Sequence, residues 1–275
     1  MLLPDNFTFS QNNLQDYIDC KRRFLLRHIQ KLEWPAIESE PVLDQEQLML
    51  LGQQFHLMVQ QKLSGIPEEI ISQSTQSPEL LAWWFEFVKL APDALPGKKY
   101  CEAFYSIPIG AYRLVAKYDL LVIQEDGKAT LYDWKTSHHA PKRSTMQQRM
   151  QTRVYPYLLA KLATSGSQFT QLDVEQLKMV YWYPDPAIQP IEFQYSSQQF
   201  EKDETFLNQL VAEIASLPEE AFTKTLYTEH KCKFCRYRTL CETGVIPGTF
   251  TDADPETEDT ENLFDLDFDD LAAAD

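Results

Sequence analysis

The sequence predicts an α/β (α+β) fold in which helices flank a mixed central sheet, and three observations lead to this prediction. Apolar residues recur at helical spacing over much of the first 90 positions. Three strand-like segments then follow one another, at Glu102 to Ile109, Tyr112 to Ile123 and Ala129 to Thr136. Helical spacing returns after them. With 275 residues and 44% hydrophobic composition, the chain is long enough to bury one large core.

Three helices are predicted before the strands. The first extends from Ser10 to Gln30 and carries Cys20. The second extends from Asp44 to Leu63, with His56 beside its apolar stripe. The third, from Pro78 to Leu90, is rich in aromatic residues. These helices are expected to cover the sheet.

The turn between the second and third strands decides which side chains share a face. A three-residue loop, Glu125-Asp126-Gly127, with a left-handed glycine is a common hairpin type. It places Asp119 opposite Asp133, with Cβ atoms roughly 4.5–5.5 Å apart, and points Lys135 to the same side. A two-residue turn would put the aspartates on opposite faces. A shared acidic site therefore requires the longer loop.

The segment after the hairpin predicts a return to helix and then a second run of strands. Helical spacing between Gln147 and Thr164 places Gln151 and Tyr155 on one helical face. Strand-like segments and a last helix follow, at Gln176 to Tyr183, Ile191 to Tyr195 and Ser197 to Leu217. The two strands can extend the sheet, and the last helix can cover it.

Two carboxylates this close repel each other unless a cation neutralises them. Their hard oxygen atoms suit Mg²⁺ or Mn²⁺. A lysine beside such an ion can orient water or stabilise charge on a phosphate that is being cleaved. However, Asp133-Trp134-Lys135 is a short motif, and a solvated Asp-x-Lys explains it equally well when it is taken alone.

Four cysteines form a split set: Cys20 near the start, and Cys232, Cys235 and Cys241 in a C-x2-C-x5-C arrangement. The sequence shows neither a signal peptide nor an apolar run long enough to span a membrane, which predicts a cytoplasmic protein with reduced thiols. The four are therefore expected to bind a metal or a cluster rather than to form disulfides. Cys101 stands alone and is interpreted as a packing residue.

The formal charge of −16 is unevenly distributed. The segment from Asp252 onward contributes −11 of it, so the rest of the chain carries −5. We predict a folded domain over residues 1–248 and an acidic, disordered tail over 249–275. Three basic clusters near the motifs are candidate phosphate contacts, with ordinary solvated faces as the alternative. They are Lys21, Arg22, Arg23 and Arg27; Lys142, Arg143, Arg149 and Arg153; and Lys231, Lys233, Arg236 and Arg238.

Over residues 7–245 the motifs taken in order resemble the RecB-type branch of the PD-(D/E)XK nuclease superfamily. The motifs are His56, Asp119, Asp133-Trp134-Lys135 and Gln151-x3-Tyr155. The cysteines are similar to those of the iron–sulfur nucleases of that branch, which include AddB-type repair and CRISPR-adaptation enzymes. The resemblance implies a restriction-endonuclease-like fold whose terminal segments are joined by a [4Fe–4S] cluster, with zinc as the alternative at four thiolates.

The resemblance also implies roles for individual residues. It makes His56, Asp119 and Asp133 ligands of Mg²⁺ or Mn²⁺, with the carbonyl of Trp134 as a further ligand. Lys135 would be catalytic, and Gln151 and Tyr155 would position the phosphate or the attacking water. Three positions complicate this pattern. Pro156 interrupts the helix, Lys117 replaces a common glycine, and Glu102 is interpreted as a solvated strand end with a possible outer-sphere role.

The implied activity is that of a DNA exonuclease or a flap- or end-processing nuclease in repair, recombination or defence. Its substrate would be single-stranded, ended or branched DNA. The chain has no G-x4-G-K-[S/T] motif, so unwinding would need a helicase or another repair protein as partner. The main alternative is a non-catalytic iron–sulfur scaffold that binds DNA. A zinc-stabilised interaction protein is a third hypothesis, and it would make the ordered motifs a coincidence.

Overall fold

The computed structural model describes residues 2–33, 40–136, 141–226, 231–233, 235–242 and 244–245. For residues 40–49 it describes the backbone alone. The predicted acidic tail, 249–275, lies outside the described residues, so its prediction is untested.

The first part of the chain is mainly helical, and the second part alternates strands and helices. The first part contains β1 (Thr8–Ser10), α1 (Gln11–Asp19), α2 (Lys21–Phe24), a π-helical turn (Leu25–Ile29), α3 (Glu40–Leu63), α4 (Glu68–Gln73) and α5 (Pro78–Leu90). The second contains β2 (Lys98–Ile109), β3 (Tyr112–Ile123), β4 (Ala129–Trp134), α6 (Arg143–Gln148), α7 (Met150–Thr164), β5 (Leu177–Trp182), β6 (Ile191–Gln194) and α8 (Ser197–Ser216).

The strands form one mixed, six-stranded sheet. β2 pairs with the full length of β3, while β1 and β4 pair with different parts of β3 on its other edge. β5 continues the sheet parallel to β4, and β6 pairs antiparallel with β5. This architecture confirms the predicted mixed central sheet flanked by helices, and it is consistent with the restriction-endonuclease-like fold.

Two hydrophobic cores cover the two faces of the sheet, and β3 changes face in its middle. Ala116 and Tyr118 belong to the larger core, which includes α1, α7 and α8. Leu120 and Val122 belong to the aromatic core under α3 and α5. Since alternate residues of a regular strand share a face, the pattern is interrupted between Tyr118 and Leu120. On the neighbouring strand Glu102 has a φ of +51°, so the irregularity affects both strands.

The first predicted helix differs from the structure. Cys20 adopts an extended conformation between α1 and α2, and its N–H donates to Asp16 O at 2.8 Å. The cysteine therefore lies at a break rather than on a continuous helix. α7, in contrast, continues through Pro156. Within the described ranges, no helix combines the length and apolar character needed to cross a membrane.

Candidate active site

The hairpin between β3 and β4 has the predicted register. Its ladder extends from Ile123↔Ala129 to Leu120↔Tyr132, one position short of the two aspartates. Gly127 has a φ of +86°, and a Cβ atom there would lie 2.7 Å from Gln171 O. Both the left-handed backbone and the close contact require glycine. The three-residue loop is therefore confirmed.

Asp119 lies between the end of β4 and α3. Its Oδ2 accepts the Trp134 N–H at 2.9 Å and lies 3.6 Å from His56 Nδ1. The other ring nitrogen of His56 lies 3.0 Å from Trp134 O. The neighbouring Phe55 is fully buried, with its ring 6.0 Å from that of Trp83, and this packing fixes α3 over the site. Burial raises the pKa of Asp119. His56, the Trp134 N–H and Lys135 together lower it by more, so the pKa of Asp119 lies below its usual value.

Asp133 is buried and has two close partners. Lys135 Nζ lies 2.8 Å from its Oδ2, and Gln151 Nε2 donates to its Oδ1 at 2.6 Å. Because Lys135 N donates to Trp182 O at 2.8 Å, its backbone is aligned with the end of β5. The structure thus brings together Asp133, Lys135 and Gln151, as their order in the sequence predicts.

Glu102 lies inside β2, so its interpretation as a strand end is wrong. The pairs Cys101↔Leu120 and Ala103↔Tyr118 flank it and place it opposite Asp119. Its carboxylate pairs with Lys117. Burial and the charge of Asp119 raise the pKa of Glu102. A register calculation across the β2–β3 turn would have placed Glu102 opposite Asp119, but it would not have given the left-handed backbone at Glu102, which no local pattern signals.

His56, Glu102 and Asp119 form a candidate metal site. Their ligand atoms all lie within 4.8 Å of one another, and Asp133 is outside that group in the described part of the chain. Two carboxylates this close repel each other, and a divalent cation between them would neutralise both. Oxygen ligands with one imidazole fit Mn²⁺ and Mg²⁺. The predicted ligand set is therefore brought together in part, and Glu102 is the residue that it omitted.

Tyr155 is buried in the larger core. It is 7% exposed, and its ring centroid lies 5.3 Å from that of Tyr118. The Tyr118 hydroxyl donates to Tyr155 O at 3.0 Å. Gln151, four residues earlier, contacts Asp133 instead. The roles predicted for Gln151 and Tyr155 on substrate remain predictions.

The aromatic ring of Tyr181 lies under the Lys135 side chain. Lys135 Nζ lies 5.6 Å from the centroid of Tyr181, within the range of a cation–π interaction. The Tyr181 hydroxyl lies 2.7 Å from Thr152 Oγ1, which donates to Met146 O at 2.5 Å. Tyr181 is completely buried, so this chain of contacts fixes the surface on which the lysine rests. A cation site with a held lysine can bind an anionic substrate and stabilise developing negative charge.

The four cysteines Cys20, Cys232, Cys235 and Cys241 form a second candidate site, at the junction of the terminal segments. Burial raises the pKa of the Cys232 thiol, and the charges of Cys20 and Cys241 add to the rise. Burial raises the pKa of Cys235 to about 11, with Arg23 acting against it. The four residues are thus neighbours. In the part of the chain that the structure describes, no three of their sulfurs lie within 4.8 Å of one another.

Other contacts also join these terminal segments. Arg22 N donates to Thr223 O at 3.0 Å, and the rings of Phe24 and Phe222 stack at 5.9 Å. Tyr237 OH donates to Leu32 O at 2.9 Å. Packing and hydrogen bonds therefore hold the ends together independently of the thiols.

Several basic residues expected to contact phosphates form ion pairs with carboxylates. Arg23 and Arg27 contact the fully buried Asp16 at 2.6 and 3.3 Å. Arg153 contacts the fully buried Asp203 at 2.6 Å. These three arginines are directed inward, away from a phosphate-binding surface. Lys21 pairs with Glu213 and Lys231 with Asp19, each at 2.7 Å, but both lysines are partly exposed, so their contact with phosphates stays a prediction.

Comparisons with known proteins agree with this architecture. The family model of the PD-(D/E)XK nuclease superfamily matches residues 8–242. A solved structure from Eubacterium rectale, named "Putative exonuclease", has 10% sequence identity and a TM-score of 0.50, covering 88% of this chain and 90% of that chain. SSO0001 has 16% identity and a TM-score of 0.43, covering 88% of each chain. The likeness to the Eubacterium rectale structure concerns the fold alone. A search of curated proteins found no match.

Proposed function

We propose that this chain, which belongs to the PD-(D/E)XK nuclease superfamily, is a metal-dependent nuclease that hydrolyses phosphodiester bonds in DNA. The observation that carries the proposal is the contact of Lys135 with Asp133 beside the ligand group of His56, Glu102 and Asp119. Together these residues supply a cation site and a positioned ammonium group. Hydrolysis of a phosphodiester needs both, because the attacking water must be activated and the phosphate charge neutralised.

His56, Glu102, Asp119 and the Trp134 carbonyl would hold Mg²⁺ or Mn²⁺, with Asp133 alongside. Bound there, the ion would supply a more acidic water and polarise the phosphate. Lys135 would hold a proton at Nζ and donate it toward a phosphate oxygen or the water. Gln151 would keep the Asp133 carboxylate in place through its bond to Oδ1. Tyr155 remains a candidate for positioning the phosphate or the attacking water.

The finer proposals concern substrate, pathway and second cofactor. We infer a RecB-like exonuclease or a flap- or end-processing enzyme that acts in DNA repair, recombination or defence, in the cytoplasm. A helicase or repair protein would provide unwound DNA. The split set of Cys20 with Cys232, Cys235 and Cys241, in a C-x2-C-x5-C arrangement, is the ground for proposing a [4Fe–4S] cluster, with zinc as the alternative. Five free thiols suit a reducing compartment.

The test is cleavage of end-labelled single-stranded DNA by anaerobically purified protein with and without Mn²⁺ or Mg²⁺. Asp133→Ala and Lys135→Ala should each lower the rate by about 10²–10³-fold or more, as the loss of a charge-stabilising group does. Asp126→Ala and Lys128→Ala change the same residue types in the exposed hairpin turn and should cleave normally. DNA binding without cleavage by the unmodified protein would instead support the non-catalytic scaffold.

A further inference from the structure

We propose that one face of the β2–β3 hairpin binds the unpaired end of a nucleic acid and leads it to the candidate active site. This hairpin face consists of Phe104, Ser106, Arg113 and Lys117. The inference rests on the proposed function, since it names the substrate of the same site as a single strand. Phe104, Ser106 and Arg113 lie outside every motif recognised in the sequence.

The hairpin face and the metal site lie on the same side of the sheet. Phe104 pairs with Lys117 across the two strands, and cross-strand partners share a face. Lys117 in turn contacts Glu102, a member of the candidate metal site. The adjacent Tyr105 and Ile107 pack against the larger core instead. The surface that carries Phe104 is therefore continuous with the site.

The hairpin face combines an aromatic ring with two cations, one of which is its cross-strand partner. Arg113 is exposed, and its Nε donates to Ser106 Oγ at 2.6 Å, so its head group extends along the strand toward the site. Phe104 is 37% exposed and lies directly opposite Lys117, while Arg113 lies four residues along β3, opposite Pro108. Four residues of strand, from the level of Ser106 to that of Glu102, span about 13 Å. That length accommodates a few nucleotides of an extended strand.

This pattern favours an unpaired strand over a duplex. Every base has a π-face that can stack on an aromatic side chain, but the bases of a duplex are already stacked on one another. Arg113 and Lys117 can contact phosphates along the strand, while Phe104, beside Lys117, receives a base. Arg23, Arg27 and Arg153 contact buried carboxylates and do not offer such a surface.

Another exposed ring provides a matched control. Phe85 on α5 is 55% exposed and lines a cavity of about 430 Å³ together with Glu86 and Asp185. Those acidic groups would repel a phosphate backbone. Phe85→Ala removes a ring of the same kind, at a position where the charge disfavours DNA.

Binding tests the inference without cleavage. In the full chain carrying Lys135→Ala, fluorescence anisotropy would measure affinity for a labelled oligothymidylate of about 15 nucleotides and for a duplex of equal length. Phe104→Ala should weaken single-strand binding roughly 5- to 100-fold, and Phe104→Trp should restore it. Arg113→Gln should lower the slope of log affinity against log salt by about 0.7. Phe85→Ala and Lys128→Gln should change neither quantity. Unchanged single-strand binding in Phe104→Ala, or equal weakening for strand and duplex, would overturn the inference.

Cleavage separates this inference from the proposed function. The p-nitrophenyl ester of thymidine 5′-phosphate has no neighbouring nucleotides to occupy the hairpin face. In the otherwise unmodified chain, Phe104→Ala should raise KM for the oligonucleotide while hydrolysis of the ester is unchanged. Equal effects on both substrates would show a structural defect and refute the inference. If the unmodified chain cleaves neither substrate, the proposed function fails, and the binding measurements still decide the role of the hairpin face.

Discussion

The candidate active site and the cysteine region are both formed by residues from distant parts of the chain, but the ligand atoms lie closer together in the active site. At the active site, ligand atoms of His56, Glu102 and Asp119 lie within 4.8 Å of one another. In the cysteine region, as far as the structure describes it, no three sulfurs are that close. Hydrogen-bonded strand register fixes two of the three active-site groups, whereas helix packing and irregular segments place the cysteines.

The two regions also differ in charge. The active site holds three carboxylates, Glu102, Asp119 and Asp133, and therefore favours a cation. Beside Cys20, a single buried carboxylate, Asp16, is surrounded by Arg23, Arg27 and His28. Burial raises the pKa of the Cys235 thiol, and Arg23 lowers it by less, so the neutral thiol is favoured. The active site thus gathers several carboxylates, whereas the cysteine region surrounds one buried carboxylate with basic side chains.

The largest expected effect comes from removing the buried carboxylate of the cysteine region. Asp16→Ala leaves three basic side chains without their shared partner and should lower the free energy of unfolding by roughly 3–5 kcal/mol. Urea unfolding would measure it. Asp126→Ala, in the exposed hairpin turn, should stay within about 0.5 kcal/mol. A small effect of Asp16→Ala would mean that the cysteines, not this ion-pair group, hold the terminal segments.

The same carboxylate predicts a pH dependence. Burial raises the pKa of Asp16, but Arg23, His28 and Arg27 outweigh burial, so its pKa lies well below the usual value. Asp16 therefore stabilises the fold fully above the usual aspartate pKa of about 4, and this contribution is lost as the pH falls below it toward the folded-state pKa. Thermal melts from pH 7 down to pH 3 should show the decline, and Asp16→Asn should flatten it. Equal slopes for both proteins would contradict the prediction.

Removing a thiol should have a different result. Cys20→Ser is expected to eliminate bound iron or zinc, measured by elemental analysis, because four thiolates are needed to complete the site. The melting temperature should fall less than in Asp16→Ala, since Phe24–Phe222 stacking and the bond from Arg22 to Thr223 remain. Cys101→Ser is the control. Unchanged metal content in Cys20→Ser would refute the assignment of Cys20 as a ligand.

A smaller effect, on metal binding, is expected at Glu102, which the sequence interpretation placed at a solvated strand end. Glu102→Gln preserves shape but removes charge, and it should weaken Mn²⁺ binding by about 10- to 100-fold, the range seen when groups around a metal are replaced. Calorimetric titration would measure this without cleavage. Glu125→Gln in the hairpin turn should bind normally. Unchanged Mn²⁺ affinity in Glu102→Gln would return the ligand role to Asp133.

The smallest expected effect concerns Tyr181 beneath Lys135. Tyr181→Leu removes the ring face and should lower kcat about five- to tenfold with little change in KM, consistent with a cation–π contact of about 1 kcal/mol. Thr152→Val, which removes the hydroxyl partner, should have a milder effect of the same kind. Tyr157→Leu removes a buried ring on α7 and serves as the control. A change in KM alone would argue against a positioning role.

The hairpin site was predictable because its geometry is local. A glycine at the third loop position fixes the turn, and the turn fixes the register that aligns Asp119 with Asp133. Gln151 was likewise predictable as a neighbour of that pair. The fold class followed from the change of periodicity, which reflects the burial of alternate residues in strands and of every third or fourth residue in helices.

Glu102 and the arginines illustrate what was not predictable. The face change of β3 depends on a paired irregularity in β2, at a residue with left-handed backbone, and no local pattern signals it. The basic clusters that contain Arg23 and Arg153 have the composition and spacing of a nucleic-acid-binding cluster. Whether their charges face solvent or a buried aspartate depends on the neighbouring helices.

The sequence by itself determined the helices, the sheet, the hairpin register and the identity of the residues that can bind a cation or form a four-cysteine site. Those properties depend on turn chemistry and on periodic burial, which act over a few residues. Tertiary structure alone decided that Glu102 joins His56 and Asp119, that Arg23 and Arg27 turn inward to Asp16, and that Phe104 lies beside the site. These outcomes depend on which surfaces meet when distant segments pack, and packing is a property of the whole chain.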